Sequence, residues 1–316
     1  MAAGQPAHAG VTAVMQAQRA QLPDGRWHFQ HGPMDIIIGA AGDALALQRA
    51  HAQAWERFTG ILQELVQELP ALRRPVQGVC TLHGPIAQRM WLACKPYQRS
   101  FITPMAAVAG SVAEELLRFY QANGIQRAWI NNGGDIAIHL TGKESVCVGL
   151  YANLERLNAE QLQNGITLDG QLAIRSDSSV RGVATSGWRG RSFSMGIADS
   201  VTVLARTAAE ADAAATVIAN AVNIEDAHVV RRPACEIKDD SDLGSRLVTV
   251  DVPLLPPELV QRALAAGLAS ALTLRAQGLI CSAVLVCQNC CVATDQTKKS
   301  MPEKLLTIEA YGTEHA

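Results

Sequence analysis

Three groups of residues in the middle of the chain have the types and spacing to do chemistry. Asn131-Asn132-Gly133-Gly134-Asp135 separates two strand-like runs. Paired glycines accept positive φ and bare their backbone N–H groups, and the flanking Asn and Asp side chains can orient a ligand or a metal ion; the same five residues also make an ordinary hairpin turn. Gly182-Val183-Ala184-Thr185-Ser186-Gly187 ends a strand in small and hydroxyl residues. Its amides and the Thr185 and Ser186 hydroxyls can cradle a phosphate, although the lysine of a P-loop is absent. The third group lies on the helix-like stretch Ala208–Thr216, where Asp212 and Thr216 stand four apart and share one face. Both are hard oxygen ligands suited to magnesium or calcium. The rest of that face is alanine, on which a carboxylate is costly to bury without a partner. Either a cation meets the two oxygens, or the carboxylate sits at a helix end and the hydroxyl bonds back to the preceding turn.

These groups need elements to hold them. Trp27–Gln30 and Asp35–Ile38 read as short strands around Gly32-Pro33, and Asp43 to Leu69 as a long amphipathic helix stopped by Pro70. Pro85–Cys94 reads as a shorter helix. Another is expected from Thr103 as N-cap, with Pro104 at its first position and Asn123-Gly124 closing it. Its small residues, Gly110 among them, let a second backbone or a ligand approach closely. Strands are expected at Arg127–Asn131, Ile136–Leu140, Val146–Tyr151, Ile166–Ile174, Val180–Thr185, Ser200–Ala205, Leu247–Val252, Leu279–Val286 and Leu305–Ala310. Helices are expected at Ala208–Val222 and Pro257–Leu274, and the charged segment Cys235–Arg246 reads as a solvated loop. Short turns join many of the strands, so the expected class is α+β with mixed, largely antiparallel sheets, and a doubly wound nucleotide-binding fold is disfavoured. Residues 1–22 are expected to be a flexible segment, and 23–316 one domain or two closely packed lobes.

Composition narrows the function. Of 316 residues, 48% are hydrophobic and 18% charged, the balance of a chain with a real core. A net charge of -2 offers no basic field to a phosphate backbone, so nucleic acid is not an expected partner. No run is long and apolar enough for a membrane span, and the expected location is the cytoplasm. The eight cysteines do not form a disulfide framework. Cys287-x-x-Cys290-Cys291, with Cys281 upstream, can be read as a metal knuckle, but buried or edge-strand thiols are favoured because no second cysteine or histidine pair stands at zinc spacing. Homo-oligomerisation is left open.

In order and separation, Asn132-Gly133-Gly134-Asp135-Ile136, Val183-Ala184-Thr185-Ser186-Gly187, and Val201-Thr202-Val203 leading to Ala211-Asp212 and Ala215-Thr216 resemble the ApbE-like family, the FAD:protein FMN transferases. The resemblance implies an α+β body related to the tunnelling fold. It further implies magnesium on Asp212 and Thr216, and a flavin nucleotide site, for FAD, lined by Asn132, Gly133, Gly134, Asp135, Ala184, Thr185, Ser186 and Gly187. Asp199 and Asp135 are then the carboxylates available to orient or deprotonate a nucleophile.

Two positions depart from the family pattern. Ala109-Gly110 stands where the family shows Lys-Gly, and the chain has no histidine between His139 and His228, where the family shows one before an Asp-Pro step. Arg181, Arg189 and Arg191 flank the Thr185 loop and can take over the lysine's grip on phosphate. The expected function is therefore a magnesium-dependent protein of flavin or nucleotide binding related to these transferases. The alternatives are a non-catalytic binder of such ligands and an enzyme of pterin-type cofactor metabolism.

Overall fold

Alternation of apolar residues sets the architecture. In the computed structural model, which describes residues 16–150 and 170–295, strands β1 (Gln18–Gln21), β2 (Trp27–His31) and β3 (Met34–Gly42) precede helix α1 (Ala44–Gln67), the short α2 (Leu69–Leu72) and α3 (Pro85–Cys94). Helix α4 (Val108–Leu117) leads to β4 (Ile125–Asn132), β5 (Asp135–Leu140) and β6 (Ser145–Leu150). Next come β7 (Gly170–Arg175), β8 (Gly182–Ser186), β9 (Ser200–Ala205) and helix α5 (Ala208–Ala221). The described chain continues through β10 (Val230–Pro233), α6 (Ala234–Ile237), β11 (Leu247–Asp251), α7 (Pro257–Ala276), β12 (Ser282–Cys287) and β13 (Cys290–Ala293). The strand expected at Leu305–Ala310 and residues 166–169 of that expected at Ile166–Ile174 lie outside the described residues, and the rest of the latter falls in β7.

Among the described residues the largest sheet has nine strands in the order β1-β2-β3-β4-β5-β8-β9-β12-β13, each antiparallel to its neighbour. One face carries the main core. Ile36 and Ile38 of β3, Ala128 and Ile130 of β4, Ala137 of β5, and Val201 and Val203 of β9 point into it, beneath α1, α4, α5 and α7. The intervening residues Ile138, Leu140, Val183 and Leu204 face the other way and form a second apolar cluster with Val148 and Ile174 of the β6–β7 hairpin. The α+β expectation holds in this sense: helices on one face of an antiparallel sheet, a hairpin on part of the other.

Three local expectations need correction. Gln18–Gln21, within the segment expected to be flexible, pair with β2 as an edge strand; all four are exposed, so no apolar alternation marks them. The helix expected from Thr103 is divided into a 3-10 turn (Pro104–Ala107), α4 and a second 3-10 turn (Arg118–Tyr120). Thr103 does not cap it, because its hydroxyl donates instead to Asp242 Oδ2 at 2.5 Å. Residues 235–246 are no free loop. They contain most of α6, and Asp240 pairs with Arg73 at 2.7 Å while the Arg246 guanidinium lies 3.3 Å from the Phe101 ring centroid. Cys287 and Cys290 are register partners across a two-residue hairpin turn whose Gln288 and Asn289 have φ of 44° and 66°. Cys287 is fully buried, which matches the expectation of core or edge-strand thiols.

Candidate functional site

The site forms where the β4–β5 turn meets the N-terminal ends of α4 and α5. Gly133 and Gly134 make the turn with φ of 67° and 113°, in the region that glycine occupies without strain. The Gly134 N–H donates to Asn131 Oδ1 at 2.8 Å, so this amide of the turn is held within it. Asn132 ends β4 on the helix side of the sheet, and its amide donates to the Ala109 carbonyl at 3.1 Å, tying the turn to α4.

Asp135 begins β5 on the same side as Asn132, since Ala137 two residues on enters the main core. It is 9% exposed, and its Oδ1 accepts the Thr185 N–H at 3.2 Å. Burial pushes its pKa up to about 7, opposed by that hydrogen bond and by the Arg191 guanidinium.

Asp212 comes from α5. Its Oδ2 accepts the Gly110 N–H at 3.0 Å, and the Ala109 N–H also favours its ionised form. Burial raises its pKa well above the usual carboxylate range, and the charge of Asp135 raises it further. The two carboxylates, read separately from sequence, therefore act on one another. Thr216 lies half-buried one turn further along α5.

Contact between the helices is set by Gly110. A Cβ there would come within 2.3 Å of the Ala208 carbonyl oxygen, so only glycine lets α4 and α5 meet this closely. The capping is reciprocal. Asp212 of α5 satisfies N–H groups in the first turn of α4, and Glu114 of α4 accepts the Ala209 N–H of α5 at 2.7 Å, while Thr207 accepts from Glu210 at 3.2 Å. Glu114 carried no signal in the sequence, because its acceptor role exists only once the two helices cross.

The expected phosphate cradle is divided by the sheet. Ala184 enters the helix-side core, but Thr185 lies on the other face, where its hydroxyl is hydrogen-bonded to that of Thr202 at 2.9 Å. Of the Thr185 groups, the backbone N–H reaches Asp135. Ser186 is half-buried, and Gly187 is pressed against the Asp199 backbone, where a Cβ would lie 2.2 Å from the carbonyl oxygen.

Asp199 is engaged elsewhere. Its Oδ2 accepts the Gln288 N–H at 2.6 Å, and its Oδ1 faces Trp188 Nε1 at 3.3 Å and Arg189 Nε at 3.4 Å, so it pins the β12–β13 turn to the loop after β8. The three candidate arginines separate as well. Arg181 donates to the carbonyls of Ser176, Ser178 and Val180 and holds its own loop. Arg189 lies over the Trp188 ring at 4.5 Å and reaches Asp199. Arg191 rests on Gly133, with Nη2 1.8 Å from where a Cβ would stand, and its charge is felt by Asp135.

Among the described residues no group of three or more His, Cys, Asp or Glu side chains is placed to hold a metal ion, and no helix is long and apolar enough to cross a membrane. The donor set at the site is thus two carboxylates with a nearby helical hydroxyl. That set suits a hard cation that completes its shell with ligand phosphates and water.

The fold is an antiparallel sheet with helices on one face, α+β in class. The family model described as AbpE bacteria matches residues 19–298, and the chain belongs to that family, as the ApbE-like resemblance implied. Among its relatives are UPF0280 proteins of Methanopyrus kandleri, 34% identical over 208 residues (65% of this chain, 78% of that protein), and of Methanothermobacter thermautotrophicus, 34% identical over 180 residues (57% and 65%). The UPF0280 protein of Methanocaldococcus jannaschii is 38% identical over 140 residues, 44% of this chain and 52% of that one. The matched stretch thus spans about half to three quarters of these relatives' lengths. A crystal structure of apo flavinyl transferase ApbE from Pseudomonas stutzeri aligns over 89% of this chain and 94% of that one, with a TM-score of 0.41 and 12% identity.

Proposed function

We propose that this protein binds a flavin nucleotide, with FAD as the first candidate, together with a magnesium ion held between Asp135 and Asp212, and that it transfers part of that nucleotide to an acceptor. The observation that carries this reading is the placement of two carboxylates beside the Gly133-Gly134 turn, Asp135 on the Thr185 N–H and Asp212 on the Gly110 N–H, with the charge of the first felt by the second. A carboxylate whose proton affinity is raised by burial and by a neighbouring acid, as at Asp212, calls for a cation or a proton beside it, and a phosphorylated ligand brings the cation. Thr216, one turn from Asp212, adds a hydroxyl for the same ion or for its water. When bound, magnesium would neutralise the diphosphate and act as a Lewis acid. Without a cation, burial keeps a proton on Asp135 up to about pH 7, and a bound magnesium ion would displace it.

A second reading, binding without turnover, is favoured by a specific observation. Ala109 stands where a lysine is expected, and its neighbour Gly110 is instead consumed in the α4–α5 contact. Titration of the purified protein with FAD, with and without magnesium, tests binding, and release of AMP together with a flavinylated acceptor tests turnover. Magnesium-dependent binding without AMP release selects the second reading; absence of any flavin binding removes both.

A further inference from the structure

We infer that Arg191 is the side chain that grips the phosphate groups of the ligand and so makes the site prefer a phosphorylated flavin to the bare ring. This rests on the proposed flavin reading. Three observations lead to it. The guanidinium lies against Gly133, and the left-handed φ of 67° together with the missing Cβ is what allows that approach: any side chain at 133 would occupy the space of Nη2. Arg191 is exposed, lies against the glycine turn, and its charge is felt by the Asp135 carboxylate. Competing cations of the same loop are committed, Arg181 to three backbone carbonyls and Arg189 to Trp188 and Asp199.

Two carboxylates repel an incoming diphosphate, so a fixed cation is needed on the open side of the turn even when a metal ion lies between the acids. A guanidinium supplies it with two parallel donors matched to phosphate oxygens. The missing Cβ at Gly133 lets that fork lie against the turn, with its charge on the acid beside it.

The test measures binding of FAD, riboflavin and inorganic pyrophosphate, in buffer containing magnesium, to the parent protein, Arg191→Ala and Arg191→Lys. Thermal melts check that the exposed substitutions leave the fold intact. Expected is a roughly ten- to hundredfold loss of affinity for FAD and pyrophosphate in Arg191→Ala, the size of a charge-assisted contact, with partial recovery in Arg191→Lys and riboflavin affinity within about twofold of the parent. Equal FAD and pyrophosphate affinities in the parent and Arg191→Ala, or an equal loss for riboflavin and FAD, overturn the inference. If the parent binds pyrophosphate through Arg191 but no flavin, the grip stands and the flavin reading falls. Binding of neither by the parent overturns both.

Discussion

The carboxylate of Asp212 on α5 accepts the backbone N–H of Gly110 on α4 at 3.0 Å, and the same glycine is where the two helices touch. One side chain thus caps one helix, belongs to another, and faces Asp135. Its structural and ligand-binding duties can be separated by substitution. Asp212→Ala removes the acceptor and is expected to cost about 1 kcal/mol, the usual worth of an N-cap. Asp212→Asn keeps a carbonyl oxygen for the cap and should melt near the parent. Both variants should lose magnesium-dependent ligand binding. Chemical denaturation alongside a magnesium and FAD titration checks this; an Asn variant that retains full cation-dependent binding would remove Asp212 from the site.

Asp135 makes stability depend on pH. Folding raises its pKa from 3.8 to about 7, so between those values the folded chain holds a proton that the unfolded chain has released. Stability from this group is complete at low pH and declines as pH rises from about 4 to 7. Without divalent cations the melting temperature should fall across that window, and Asp135→Asn should flatten the slope. A parent whose melting temperature rises steadily from pH 4 to 7 with the same slope as the variant would contradict the assignment.

Gly110→Ala should separate α4 from α5. The added methyl meets the Ala208 carbonyl carbon and oxygen and the Ala209 nitrogen, all backbone atoms that cannot turn aside. A loss of about 1–3 kcal/mol is expected from overpacking, together with weakened ligand binding as Asp212 shifts away. Denaturation midpoints and ligand affinity measured on the same preparation give both numbers.

Glu115 offers a comparison remote in role from the ligand. Its side chain is 2% exposed and meets Arg57 at 2.8 Å, Arg118 at 3.1 Å and Arg89 at 3.2 Å. Glu115→Ala removes the acceptor these groups share, though Glu64 remains for Arg57 and Glu114 for Arg89, and is expected to cost about 1–3 kcal/mol. A loss below about 1 kcal/mol in urea denaturation would show the cluster to be solvated like an ordinary surface pair.

Much of the site was legible because its signals are local. Glycines that need positive φ, as at 133 and 134, mark a turn, and an Asp on an alanine face demands a polar partner wherever the helix packs. The long helix expected from Asp43 was equally local; Asp43 Oδ1 caps it by accepting from Leu45 and Ala46 at 3.0 Å, and it ends at Gln67, with Pro70 in the first turn of the short α2. The face taken by the Thr185 hydroxyl was not legible, because residue type does not say which face of the sheet a strand residue takes. That depends on register with β9, which places Thr185 opposite Thr202. Likewise, three arginines spaced within eleven positions looked equivalent, and only the path of the loop sends one of them to Gly133.

The residue string by itself determined the antiparallel α+β class, the glycine turn, and the need for a partner at Asp212, because periodicity, turn chemistry and the cost of burying charge act over a few neighbouring residues. Only the tertiary structure decided that this partner includes an amide 102 positions away, that Asp135 and Asp212 share one field, and that Asp199 serves a hairpin instead. Those relationships come from the crossing of α4 and α5 and the register of the central sheet, which depend on the packing of the whole chain.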